Sequence, residues 1–114
     1  EGFSVLTGED ALFHTMLCNG ADGGILAAAH LATERFVEVA QRVAANDHQG
    51  ALAIWRPLCS LVADLFREAN PMPIKHCLWR QGLIASPECR LPLTRISDGL
   101  RNDLDRRLPG LRPS

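Results

Sequence analysis

The stretch Gly20-Ala21-Asp22-Gly23-Gly24-Ile25-Leu26 constrains this chain more than any other. Glycine punctuation gives way to a very short apolar run, and Ala27-Ala28-Ala29 then leads into helical sequence. A buried strand that short cannot stand alone, because its backbone donors and acceptors need partner strands. The chain offers one other candidate, Phe3-Ser4-Val5-Leu6-Thr7, a β-prone run ending at Gly8. Between the two, Leu12, Phe13, Met16 and Leu17 make an apolar helical stripe that Asn19-Gly20 stops. Thr7 and Asp10 have the spacing of a capping box opening that helix. Strand, helix, strand with tight connections is βαβ grammar, so the strands should run parallel. Both are expected to be buried members of a larger parallel sheet.

Everything downstream reads as helix. A segment from about His30 to Ala45 is expected to bury Phe36, Val37, Ala40, Val43 and Ala44, with Asn46-Asp47 breaking it. The next, from about His48 to Ala69, carries Ala51, Ile54, Trp55, Leu58, Leu61, Val62 and Leu65 at helical spacing. Pro57 should interrupt and kink it, since proline removes a donor and crowds the preceding turn. Asn70-Pro71-Met72-Pro73 is a rigid turn with Pro73 suited to the first turn of a helix, which runs through Ile74, Cys77 and Leu78 to Gly82. A proline-punctuated loop from Ser86 to Ile96 precedes a last helix, capped by Ser97, lined by Leu100, Leu104 and Leu108 and stopped by Pro109-Gly110.

A chain of 114 residues suffices for one core and is too short for two. Twelve basic and thirteen acidic residues leave a net charge of −1, without the electrostatic footprint of a nucleic-acid binder. No apolar run approaches the ~20 residues of a membrane span, and the first residues lack the grammar of a signal peptide. A cytoplasmic protein, or a piece of one, is expected. Cys18, Cys59, Cys77 and Cys89 form no C-x-x-C pair and read as buried free thiols. A metal site from His76, Cys77 and Cys89 is disfavoured, because His76 and Cys77 diverge by about 100° on a helix. No metal and no cofactor is expected.

Four segments in order carry a resemblance across nearly the whole chain. They are Leu6-Thr7-Gly8-Glu9-Asp10, Gly20-Ala21-Asp22-Gly23-Gly24-Ile25, Asn70-Pro71-Met72-Pro73-Ile74-Lys75 and Arg90-Leu91-Pro92-Leu93-Thr94. With matching helices between them, they resemble the C-terminal part of the dihydrodipicolinate synthase / N-acetylneuraminate lyase family. The resemblance implies an α/β fold, the C-terminal part of a (β/α)8 TIM barrel that needs about 250 residues in full. Residues 1–45 would be its last two βα units, and residues 46–114 a C-terminal helical extension, leaving this chain itself mostly α.

The family consists of class I aldolases and lyases, in which a barrel lysine forms a Schiff base with pyruvate or a related 2-keto acid, aided by a tyrosine. The resemblance puts that lysine, and the hydroxyl residues that hold the pyruvate carboxylate, upstream of Glu1. This chain has no Tyr, and its only lysine, Lys75, matches the helical extension instead. No residue here is therefore expected to be catalytic. Two substrate-binding positions carry over. Gly8 would lie just past the seventh strand where backbone nears the substrate, and Ile25 on the eighth, its main-chain carbonyl facing the keto acid. Glu9 and Asp10 fit first-turn acids complementing a helix dipole better than an acid/base pair.

The sialic-acid-cleaving branch carries a glutamate and a serine where this sequence has Ala11 and Ala27, which cannot hydrogen-bond a polyol. The Asn70–Lys75 and Leu91–Thr94 segments favour the dihydrodipicolinate synthase-like branch, which condenses pyruvate with aspartate semialdehyde in lysine synthesis. The expected partner is then the missing barrel portion, or another copy through self-association. A different reading is a free-standing helical interaction module derived from that family, its two edge strands favouring association.

Overall fold

The computed structural model describes residues 2–111. Strand β1, Leu6–Thr7, pairs in parallel with β2, Gly23–Gly24, in the register Leu6 to Gly23 and Thr7 to Gly24. Both strands are shorter than the sequence predicts, because among the described residues no third strand extends the ladder. Thr7 is buried, but the apolar side chains of these segments mostly are not. Phe3 is 87% and Ile25 76% exposed, and Val5 and Leu6 also face outward. The β-prone character of these segments is present without the partners that would cover it.

A 3-10 turn at Asp10–Leu12 leads into helix α1, Phe13–Cys18. The capping box does not form. Glu9 caps the turn by accepting from the Ala11 N–H, while the Asp10 carboxylate points elsewhere. Phe13 and Leu17 are buried, whereas Leu12 is half exposed. Gly20, at φ +93°, ends α1 in a Schellman motif, with its N–H on the Leu17 carbonyl and the Ala21 N–H on that of Met16.

After a second 3-10 turn at Ala28–His30, helix α2 spans Thr33–Ala44 and α3 spans His48–Leu65. They make the most extensive helix–helix contact of the structure. The buried stripe of α2 is Phe36 and Val39, with Ala40 and Val43 partly covered. It is rotated from the expected one: Val37 is 49% exposed and Ala44 is exposed, because α3 covers the neighbouring face. Asn46 takes a left-handed φ of 60° and closes α2, and Asp47 then caps α3 by accepting the Gly50 N–H at 2.9 Å.

Pro57 does not break α3, since it lies on the exposed side while Trp55, Leu58, Leu61, Val62 and Leu65 anchor the helix on both sides of it. The helix stops at Leu65 rather than Ala69, and Phe66 and Ala69 beyond it are exposed. Helix α4, Met72–Arg80, ends at Gly82 with φ +76°, and α5, Asp98–Arg107, starts on Ser97, whose hydroxyl accepts the Leu100 N–H. One hydrophobic cluster joins all five helices, with Phe13, Phe36 and Trp55 in mutual ring contact at 5.5–6.1 Å. His76, buried at 5% exposure, ties α4 to α5 through its Nε2, 2.8 Å from Asp105 Oδ1, which also accepts from Arg80. Among the described residues no helix is long and apolar enough to cross a membrane.

Candidate functional site

Gly8 and Ile25 lie just past the ends of the two parallel strands, and the fold brings them to one surface hollow of about 370 Å³. Asp10, His30, Phe66 and Asn70 also line it. Larger hollows lie elsewhere: one of about 500 Å³ against His30, Gln81 and Leu111, another of about 500 Å³ between α4 and α5 around His76 and Trp79, and one of about 430 Å³ at Arg80, Gln81 and Leu108. None of these touches Gly8 or Ile25. The strand-end hollow is the relevant one, because parallel β/α folds gather their chemistry at the carboxyl ends of their strands.

The backbone here is bolted together twice. The Ile25 N–H donates to the Thr7 carbonyl at 2.9 Å, and the Ala28 N–H donates to Asp10 Oδ2 at 2.6 Å. Asp10 is only 3% exposed. It stands in the first turn of its 3-10 helix, as the sequence suggested, but its carboxylate is a buried acceptor for the start of the 3-10 turn that follows β2. Eighteen residues separate the two partners, so no local pattern could have revealed the contact.

Gly8 is informative for what it lacks. A Cβ built there would meet no atom within 4 Å, and its φ lies outside the left-handed region. Nothing in the chain's own packing or backbone demands glycine at this place. The open space beside it faces the hollow. Gly24 is the opposite case, because a Cβ would sit 3.0 Å from Leu26 Cγ and 3.1 Å from Phe13 Cδ2.

Lys75 is not among the residues lining the hollow; its amine donates to the Glu88 carbonyl at the edge of α4. His30 is pinned at the rim, with Nδ1 3.0 Å from the Ala27 carbonyl oxygen. Among the described residues no group of three or more His, Cys, Asp or Glu side chains is placed to share a metal ion. The four thiols are free, but only Cys77 is fully buried, and Cys18 is exposed, since it faces away from the core on α1. Burial, with a smaller contribution from Asp105, pushes the Cys77 thiol from 9.0 up to about 12.

Two parallel βα units with a hollow at their strand ends, followed by further helices, are part of a TIM-barrel architecture. The sequence profile of the dihydrodipicolinate synthetase family matches residues 1–109, and the chain belongs to that family. It is 49% identical over 106 residues to 4-hydroxy-tetrahydrodipicolinate synthase 2 of Clostridium acetobutylicum, an alignment covering 93% of this chain and 37% of that protein. Its fold superposes on dihydrodipicolinate synthase from Aquifex aeolicus with a TM-score of 0.89 at 35% identity, covering 96% of this chain and 37% of the other. The enzyme from Acinetobacter baumannii, solved in complex with pyruvate, gives a TM-score of 0.87 at 32% identity, covering 96% and 38%. The chain thus spans little more than a third of the length of the relatives it matches.

Proposed function

We propose that this chain is the C-terminal portion of a 4-hydroxy-tetrahydrodipicolinate synthase-type lyase that acts on pyruvate or a related 2-keto acid through a Schiff base. The convergence of Gly8 and Ile25 on one hollow carries the reading. Residues 1–45 supply the last two βα units of the barrel and residues 46–114 its helical extension. Backbone does the work at both positions. Gly8 leaves room for the keto acid, and the Ile25 carbonyl, tethered through its own N–H to Thr7, faces it. The nucleophilic amine comes from an upstream strand. Its attack on the keto carbon, with loss of water, makes the imine, and no metal or organic cofactor enters. The parent is a cytoplasmic, oligomeric enzyme of lysine synthesis with no nucleic-acid or membrane partner.

The chain alone is inactive on this account. Incubated with pyruvate and borohydride, it stays at its unmodified mass, and a reduced adduct on Lys75 would overturn the proposal. The outward-facing Phe3, Val5, Leu6 and Ile25 favour a second reading, association with the rest of the barrel or with another copy as an interaction module. Light scattering checks it: association of the isolated chain supports that face as a contact surface, and a stable monomer at high concentration contradicts it.

A further inference from the structure

The two backbone bolts have the same spacing on both arms. Thr7 and Asp10 stand three residues apart on one arm, and their partners Ile25 and Ala28 stand three apart on the other. The arms 7–10 and 25–28 are therefore fastened at both ends, with Gly8 inside one and the Ile25 carbonyl inside the other. One fastening is an ordinary ladder bond continued past β2. The other is a side chain, and it is the one bond of the pair that the backbone alone cannot supply.

We infer that Asp10 is a positioning residue for the keto-acid site: it fixes the Ile25 carbonyl relative to Gly8 by holding the Ala28 N–H. The inference rests on the reading of that hollow given above. Three observations carry it. Asp10 is almost wholly buried yet lines the hollow. Its oxygen lies 2.6 Å from the Ala28 nitrogen, the short distance of a charge-assisted bond. Finally, the side chain of Ile25 does little to hold its own backbone, since it is largely exposed. Leu26 and Ala28 are buried and anchor the arm's side chains, but side-chain burial does not fix the direction of a carbonyl. The N–H bonds at residues 25 and 28 fasten the backbone on either side of the Ile25–Leu26 peptide and so limit how far that peptide can turn.

Two substitutions separate positioning from simple stabilisation. Asp10→Asn keeps an oxygen that can accept the Ala28 N–H, and Asp10→Leu keeps the bulk with no acceptor. In the 114-residue chain, amide exchange at Ala28 should speed up on the order of tenfold in Asp10→Leu and distinctly less in Asp10→Asn. The carbonyl carbon shift of Ile25 and the amide shift of Gly8 should move in Asp10→Leu and stay near wild type in Asp10→Asn.

The functional readout uses a hybrid in which this chain replaces the matching third of the Clostridium acetobutylicum relative. There Asp10→Leu should reduce the rate of borohydride-trapped pyruvate adduct at least tenfold, with Asp10→Asn restoring most of it at an equal unfolding midpoint. Equal behaviour of the two variants in the exchange and shift measurements would overturn the inference, and so would a moved Ala28 with unmoved Ile25 and Gly8. If the shifts behave as stated but a folded wild-type hybrid traps no pyruvate, the function proposed for the hollow fails and the clamp stands. If Asp10→Leu does not fold, Asp10→Ala takes its place in the same exchange and shift measurements: an Ala28 amide exchanging as in wild type, or unmoved Ile25 and Gly8 shifts, would refute the inference.

Discussion

Gly8 lies one register step beyond Thr7, the ladder partner of Gly24, yet substitution of the two glycines by alanine should have opposite effects. At Gly24 the new Cβ would lie 3.0–3.1 Å from Leu26 and Phe13. Phe13 cannot retreat, because its ring is wedged against Phe36 at 5.5 Å and Trp55 at 6.1 Å. Overpacking of this kind costs about 1–3 kcal/mol, and the reduced freedom of the unfolded chain offsets about 0.4–1 kcal/mol, leaving a net loss of about 1–2 kcal/mol. At Gly8 no overpacking arises, so only the unfolded-state effect remains and Gly8→Ala should be neutral or stabilise by up to ~1 kcal/mol. Urea titration followed by the fluorescence of the buried Trp55 measures both. With a slope of about 1–3 kcal/mol/M, the Gly24→Ala midpoint should fall by roughly 0.3–2 M and that of Gly8→Ala should not fall. A Gly8→Ala variant destabilised as much as Gly24→Ala would refute the claim that the chain leaves the space beside Gly8 empty.

The core and the titrating groups give further expectations. Leu61→Ala, at a fully buried position, should cost about 2–5 kcal/mol, while Val37→Ala on the outward face of α2 should stay within about 0.5 kcal/mol, both by urea titration. The Asp47 carboxylate is held below the usual range by the Gly50 N–H and then Arg42, and that of Asp103 by Arg67 and then Arg106. Folded values below unfolded ones stabilise fully above about pH 4 and lose that contribution as pH falls through the folded values. Thermal midpoints should accordingly drop on acidification below about pH 4, and less so in Asp47→Asn and Asp103→Asn. With its thiol pushed up to about 12 by burial, Cys77 should resist iodoacetamide at pH 8 until the chain unfolds, whereas exposed Cys18 should label first, as peptide mass mapping would show.

Helix positions were largely legible in the sequence because capping and stop residues act within a few positions. Asn19-Gly20, Asn46-Asp47, Gly82 and Ser97 each end or begin an element where local chemistry puts them. The phase of α2 was not, since Phe36 fits either of two overlapping stripes and only the placement of α3 buries Val39 instead of Val37. The strands were legible as strands but not as exposed ones. Phe3, Leu6 and Ile25 are exposed, because apolar sequence signals a β-prone segment without saying whether anything packs against it. The approach of Gly8 to Ile25 follows from parallel pairing. The Asp10–Ala28 bond does not, because it joins two loops whose separation only the folded βαβ unit sets.

On the proposed function, this chain carries the substrate-facing backbone of a Schiff-base lyase and the nucleophile comes from elsewhere in the barrel. Trapping pyruvate with borohydride on the isolated chain and on the hybrid with the Clostridium acetobutylicum barrel, followed by peptide mapping, tests it directly. The isolated chain should stay unmodified, and the hybrid should carry a single reduced pyruvate adduct on a lysine upstream of this segment. An adduct on Lys75 in either protein, or a folded hybrid that forms none, would contradict it.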